Sequence, residues 1–343
     1  MNLQEEYNRV KERIDAINFS ALWEGFHSFR FALFNETECY FDGRYIEKTD
    51  EFHANTSILY NGENIAIWKL TEKPTDIDMF TASIVHEMFH AYQNESGEKC
   101  ILDERRALLE YQYSMENLSV KLQEAKLMRD ILLDGNESKF LELLSLRKLR
   151  KERFPKQYDY EARVEQNEGT AKYIELLVLM QIAPEKGRLR LLQMIDEIIA
   201  AGNYFPIRVI SYTIGAVFLL CIKKCSSFIY SNFSDRPFSD EILDDVIAMP
   251  YEVAIDPEME MKLTTYNQET ERIVTAALNR GEICLKGNYP LFSLNIWDAR
   301  WNGKYATSNH FVAYLDGDQV KFLNGNFVVE IDNSLSILTV YRQ

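Results

Sequence analysis

The sequence predicts an α+β fold: a small antiparallel sheet leads into a mostly helical body, and a β-rich module ends the chain. Three observations carry this. Apolar residues recur at helical spacing through most of residues 78–229. Before them, Asp42-Gly43 and Asn61-Gly62 interrupt alternating apolar and aromatic runs, as two-residue hairpin turns do. After them, residues 281–343 alternate with period two around Asp316-Gly317-Asp318 and Asn324-Gly325.

The chain has 343 residues, 46% apolar and 13% aromatic, enough for an ample core and more than one core usually organises. We divide it into a catalytic domain at 1–235, a helical or irregular connection at 236–280 and a β-rich module at 281–343. A formal charge of -15 argues against nucleic acid as a partner, because phosphate binding needs clustered Lys and Arg. No secretory signal pattern opens the sequence, and the longest apolar stretch, within 209–222, is too short to span a bilayer. The five cysteines are scattered with no C-x-x-C pair, which suits a reduced cytoplasm. Cys221 and Cys225, four apart in an apolar run, read as buried thiols.

Taken in order, residues 2–17 carry Tyr7, Val10, Ile14 and Ile17 at helical spacing and predict a capping helix. Segments 38–48 and 58–70 predict the hairpins. From residue 78 the pattern is helical, with breaks at 94–97, 135–136, 155, 184–187 and 202–206. The stretch 103–133 is charged on one side and predicts a helical hairpin with 139–153, its charges forming a solvated face. In the last module, 319–323 and 327–331 read as a β meander.

The chemistry concentrates in Val85-His86-Glu87-Met88-Phe89-His90-Ala91-Tyr92, an H-E-x-x-H pattern. On a helix, residues four apart lie one turn above each other, so His86 and His90 can hold one Zn2+ while Glu87 serves as general base toward a water. Two of only five histidines occupy this one turn, and the flanking residues continue an apolar helix. The plain alternative is two helix histidines satisfied by hydrogen bonds. The remaining histidines, His27, His53 and His310, have no second ligand at metal spacing and read as structural or surface residues.

Catalytic zinc takes three protein ligands and keeps an open position, so a further donor is required. Asn167-Glu168-Gly169-Thr170-Ala171-Lys172-Tyr173 resembles the N-E-G-x-A-x-Y element of the gluzincin metallopeptidases, notably the aminopeptidase N family. That resemblance implies Glu168 as third ligand. Gly169 and Ala171 are small enough to let this helix approach the H-E-x-x-H helix closely. Glu165, three residues earlier on the same helical face, competes for the ligand role. The gap from His90 exceeds that usual in the family, and a helical insertion at about 103–153 accounts for it.

Tyr212-Thr213-Ile214-Gly215-Ala216 is similar to the family's Y-x-K-G-A segment, with Ile214 where the family has lysine. The resemblance implies that the Tyr212 hydroxyl donates to an oxyanion; a core tyrosine is the alternative. The family's G-x-M-E-N segment binds a substrate amine, and Asn61-Gly62-Glu63-Asn64 stands at a comparable distance upstream without the methionine. Glu63 is thus an amine-binding candidate in what is first a hairpin turn, and aminopeptidase and endopeptidase action both stay open. Glu175 is a candidate to orient a zinc histidine.

The resemblance covers residues 63–222 and implies a zincin-like catalytic domain that cleaves a peptide or protein substrate with one Zn2+. By analogy to gluzincins, the substrate would lie extended along an edge strand at 63–70. Two other classes remain: a catalytically silent zinc protein whose C-terminal module binds a partner, against which the presence of Glu87 argues, and a zinc hydrolase of non-peptide amides or esters.

Overall fold

A computed structural model describes residues 2–98, 102–228, 230, 233 and 235–343. Its first helix, α1 (Leu3–Ile14), starts where Asn2 Oδ1 accepts from the Glu5 amide, and buries Leu3, Tyr7, Val10 and Ile14. Tyr7 stacks on Phe31 with centroids 4.2 Å apart, so the helix covers the sheet that follows.

That sheet contains β1 (Phe31–Phe34), β2 (Cys39–Phe41), β3 (Arg44–Ile46), β4 (Thr56–Tyr60) and β5 (Glu63–Lys69), in the order β3-β2-β1-β5-β4. Asp42-Gly43 and Asn61-Gly62 form the two-residue turns, each with positive φ at both positions (49° and 79°, 51° and 82°), the conformation that Asp-Gly and Asn-Gly favour. The sheet is not purely antiparallel. β1 and β5 join the hairpins side by side in parallel, Phe31 opposite Ala66 and Leu33 opposite Trp68. A pairing between strands so far apart in sequence leaves no local turn signature. It also makes β5 an inner strand, with Ile65, Ala66 and Ile67 fully buried, and leaves β4 at the edge. Residues 63–70 are therefore not the edge strand that the sequence reading expected.

α2 (Ile77–Glu95) follows, capped by Asp76, whose carboxylate accepts from the Asp78 and Met79 amides. It buries Phe80, Ile84, Val85, Met88 and Phe89, and carries His86, Glu87 and His90 on its other flank. The helical body continues with α3 (Glu104–Glu110), α4 (Met115–Leu133), α5 (Phe140–Arg153), α6 (Pro155–Val164), a π-helical turn at Glu165–Gly169, α7 (Thr170–Ile182), α8 (Pro184–Ile199) and α9 (Ile207–Cys225). Pro155 and Pro184 open helices, as expected of proline in a first turn, whereas Gly187 lies inside α8.

α4 and α5 pack together as a hairpin, but their charges do not form a solvated face. Lys121, Glu124, Arg147 and Arg150 are buried with Glu161 and Glu165 from α6 and the π turn. Glu161 accepts from Tyr111 Oη at 2.8 Å and Asn117 Nδ2 at 3.1 Å, and pairs with Lys121 Nζ at 2.8 Å and with Arg150. Arg147 also lies over the Phe218 ring at 3.8 Å. A helix with charge on one side looks amphipathic in sequence; here those charges close into a buried network of three cations, Lys121, Arg147 and Arg150, and three carboxylates, Glu124, Glu161 and Glu165.

The connection at 236–280 is helical in part, with the short α10 (Phe238–Glu241) and the long α11 (Pro257–Arg280) joined by irregular chain. α11 buries Met259 in the helical body, and Val274 and Ala277 against Val328 of the last module, so one helix packs on both. That module is a six-stranded antiparallel sheet of β6 (Ile283–Leu294), β7 (Tyr305–Ser308), β8 (Phe311–Asp316), β9 (Gln319–Asn324), β10 (Phe327–Ile331) and β11 (Ser336–Arg342), in the order β7-β10-β11-β6-β8-β9. It is not a meander through 319–331: β9 and β10 are not neighbours, so Asn324-Gly325 carries the chain across the sheet. β6 pairs with β11 through its first part and with β8 from Leu291 onward. The changeover falls at Pro290, which has no amide to donate. Among the described residues no helix is long and apolar enough to cross a membrane.

Breaking a buried ion pair strands its partner, at a cost of about 3–5 kcal/mol. Glu161→Gln is expected to lower unfolding free energy by about that amount in denaturant titrations at neutral pH. Although burial opposes its charge, Arg150 and Lys121 hold the Glu161 carboxyl down from 4.5 to about 2. A depressed acid stabilises above its unfolded pKa, so the difference between wild type and variant should shrink as pH falls from 4.5 toward 2.

Candidate metal centre

α2 sets His86 and His90 one turn apart, facing the turn at Glu165–Gly169. His86 Nε2 and His90 Nε2 are 3.2 Å apart, and Glu168 Oε2 lies 3.7 Å from the first and 3.4 Å from the second. Bonds of ~2.0–2.1 Å in a tetrahedral zinc site separate ligand atoms by about 3.3 Å, which these distances bracket. Two imidazoles and a carboxylate are also a donor set that zinc accepts.

The outer ring atoms are held as well. His90 Nδ1 lies 2.6 Å from Gln93 Oε1, while Gln93 Nε2 donates to the Asn167 carbonyl and to Thr170 Oγ1, both at 3.0 Å. Those two donations orient the amide, so His90 Nδ1–H donates and Nε2 keeps its lone pair for the centre. Gln93 is buried and ties α2 to the glutamate-bearing turn. Glu175 Oε2 sits 3.3 Å from His86 Nδ1, an ion-pair contact short of hydrogen-bond alignment, and Lys172 Nζ donates to Glu175 Oε1 at 2.6 Å.

The carboxylates dominate the local electrostatics. Burial opposes charge on His86, but Glu168 and Glu175 outweigh it and raise its pKa to about 10. A cation bound here has a proton to displace. Burial would raise Glu168, yet His86, His90 and Arg208 hold it well below the usual range. Glu87 goes the other way: burial lifts its pKa despite the nearby histidines.

The π turn separates the two candidate ligands. In an α-helix Glu165 and Glu168 would share a face; the wider i to i+5 turn rotates them apart. Glu165 Oε1 and Oε2 go to Lys121 Nζ at 3.1 Å and Arg147 Nη2 at 2.7 Å in the buried network, and only Glu168 meets the histidines. Gly169 does not serve contact with α2: a Cβ there would come within 2.8 Å of Gly215 Cα on α9. Gly215 in turn faces the Glu165 backbone, where a Cβ would lie 2.9 Å from Cα. The paired glycines bring α9 against the π turn.

That close approach introduces Arg208, which the sequence reading missed. Its Nη2 donates to Glu168 Oε1 at 3.2 Å, its Nε to Glu104 Oε1 at 3.1 Å, and its Nη1 to the Tyr212 hydroxyl. Holding Oε1 leaves Oε2 to the centre. Its one available signal was a cation one turn before Tyr212 in an apolar helix. Tyr212 is half-buried and lines the cleft, and is not sunk in the core.

The cleft has a volume of about 940 Å³ and reaches His86, Glu87, His90, Glu168, Arg208 and Tyr212. His53, read as an isolated histidine, also lines it, with Nδ1 2.9 Å from the Glu51 carbonyl. Glu63 is not in its lining: it is exposed and pairs with Arg30. The last β module closes one side through residues 293–297 and Phe311. Cys221 is buried, which raises its thiol pKa; Cys100 lies outside the described residues.

No protein-family model, curated protein or solved structure matches this chain.

Partners of metal-bound histidines contribute about 10–100-fold to affinity. Gln93→Leu is expected to weaken zinc binding by that factor in competitive chelator titrations, with the fold retained by circular dichroism.

Proposed function

We propose that this chain is a zinc-dependent metallopeptidase of gluzincin type, acting on peptide or protein substrates. The observation that carries this reading is the convergence of His86 Nε2, His90 Nε2 and Glu168 Oε2 in an open cleft, with Glu87 on the same helix beside them. The ordered elements H-E-x-x-H, N-E-G-x-A-x-Y and Y-x-x-G-A support it further.

Zinc held by these three residues would supply Lewis acidity, lowering the pKa of a water toward about 7 and polarising the scissile carbonyl. Glu87 takes the proton of the attacking water and delivers it to the leaving amine; its raised pKa strengthens it as a base. Arg208 donates to the Tyr212 hydroxyl oxygen, which leaves the phenolic hydrogen free to donate to the developing oxyanion. The same guanidinium fixes Glu168, so one side chain positions both a ligand and an oxyanion donor. Edge strand β4 begins at the cleft, which Thr56 and the preceding Ala54 and Asn55 line, so an extended chain could pair there. The free thiols among the described cysteines support a reducing, cytoplasmic location.

The test is turnover of a peptide library, run beside amide and ester libraries, by the zinc-loaded protein. Glu87→Gln should retain one zinc per chain and lose activity by about 10²–10⁴-fold, and Tyr212→Phe should lower kcat by about 10²–10³-fold. Zinc-loaded wild type that cleaves esters or small amides but no peptide would contradict the peptidase reading.

A further inference from the structure

The cleft has a mixed lining: beside the charged residues of the candidate metal centre it includes the apolar Trp68, Leu294, Ile296, Trp297 and Phe311. Four of these five come from the C-terminal module, Leu294 and Phe311 from its strands and Ile296 and Trp297 from the connection after β6, outside every element that resembles a peptidase motif.

Trp297 is the most telling of them. It sits in the connection between β6 and β7, which is tied down along its length. The Asn295 amide donates to Ser308 Oγ at 3.0 Å, the Trp297 amide to Asn295 Oδ1 at 3.2 Å, and the Arg300 amide to Thr307 Oγ1 at 3.0 Å. Asn309 Nδ2 donates to Asp298 Oδ2 at 2.5 Å, and Ala299 is buried. The backbone is thus fixed while the indole remains 51% exposed. Its ring meets the edge of Tyr212 at 5.7 Å and 88°, so it stands beside the side chain that we assign to the oxyanion. A large apolar surface held open to water by a pinned loop is unfavourable in the free protein and becomes favourable when a ligand covers it.

We propose that Trp297, with Phe311 and Trp68, forms a subsite that takes a large apolar, preferably aromatic, side chain of the peptide substrate. The C-terminal sheet is then part of the substrate-binding unit and sets its specificity. Mixed lining, with apolar walls and a few convergent polar groups, is what ligand clefts of this size show. This proposal rests on the peptidase reading for the nature of its ligand, but not on turnover for its test.

Binding is measured by calorimetry on zinc-loaded Glu87→Gln protein, with end-blocked Gly/Ser hexapeptides carrying one Phe or one Ala at the third or fourth position. The Phe peptide is expected to bind tighter than its Ala counterpart, and adding Trp297→Ala should reduce the Phe-to-Ala affinity ratio about tenfold, whereas Trp297→Phe should preserve it. Zinc content and melting temperature of each variant establish that a loss is local. The proposal is overturned if the peptides bind alike, if none binds, or if Trp297→Ala weakens both equally. If the Phe preference is present in binding and wild type cleaves none of these peptides, the peptidase reading falls and the subsite stands.

Discussion

Two imidazole nitrogens 3.2 Å apart, with a carboxylate oxygen within 3.7 Å of both, cannot all present lone pairs to one another without a proton or a cation among them. The rest of the site enforces this crowding. Gln93 fixes one imidazole and ties it to the turn that bears Glu168; Glu175 faces the other; Arg208 occupies the far carboxylate oxygen. The Gln93 and Arg208 contacts leave His90 Nε2 and Glu168 Oε2 facing the same point.

The buried network behind the π turn belongs to the same arrangement. Glu165 is the hinge between the two: its carboxylate is neutralised by Lys121 and Arg147, and its backbone meets Gly215 of α9. α4 and α5 therefore brace the π turn that bears Glu168 from behind. α9 carries Arg208 and Tyr212, so its approach through the paired glycines sets Arg208 between Glu168 and the Tyr212 hydroxyl. The C-terminal sheet adds the apolar wall. Residues of α2 and the π turn, of α9 and of the C-terminal module thus line one cleft.

Features encoded locally were legible in the sequence. The hairpin turns follow from Asp-Gly and Asn-Gly, the capping helix from its apolar spacing, and the pairing of His86 with His90 from their H-E-x-x-H spacing; Glu168, distant in sequence, was reached only through a motif resemblance. What required long-range partners was not legible. The parallel pairing of β1 with β5 depends on which hairpin edges meet, and it moved the open edge from residues 63–70 to β4. The charges of α4 and α5 resemble a solvated face until Glu161 and Glu165 are placed against them. The π turn has no sequence signature, yet it decides between Glu165 and Glu168. Gly169 was read correctly as a close approach, but toward the wrong helix. Arg208 and Trp297 enter the site through packing that no local pattern records.

The account turns on whether one zinc ion is held by two imidazoles and a carboxylate. Zinc-edge X-ray absorption on protein loaded with one equivalent tests this directly. The account predicts a shell of nitrogen and oxygen donors at about 2.0–2.1 Å with outer-shell scattering from two imidazoles and no sulfur. A sulfur shell at about 2.3 Å, a different imidazole count, or failure to retain one equivalent of zinc would contradict it.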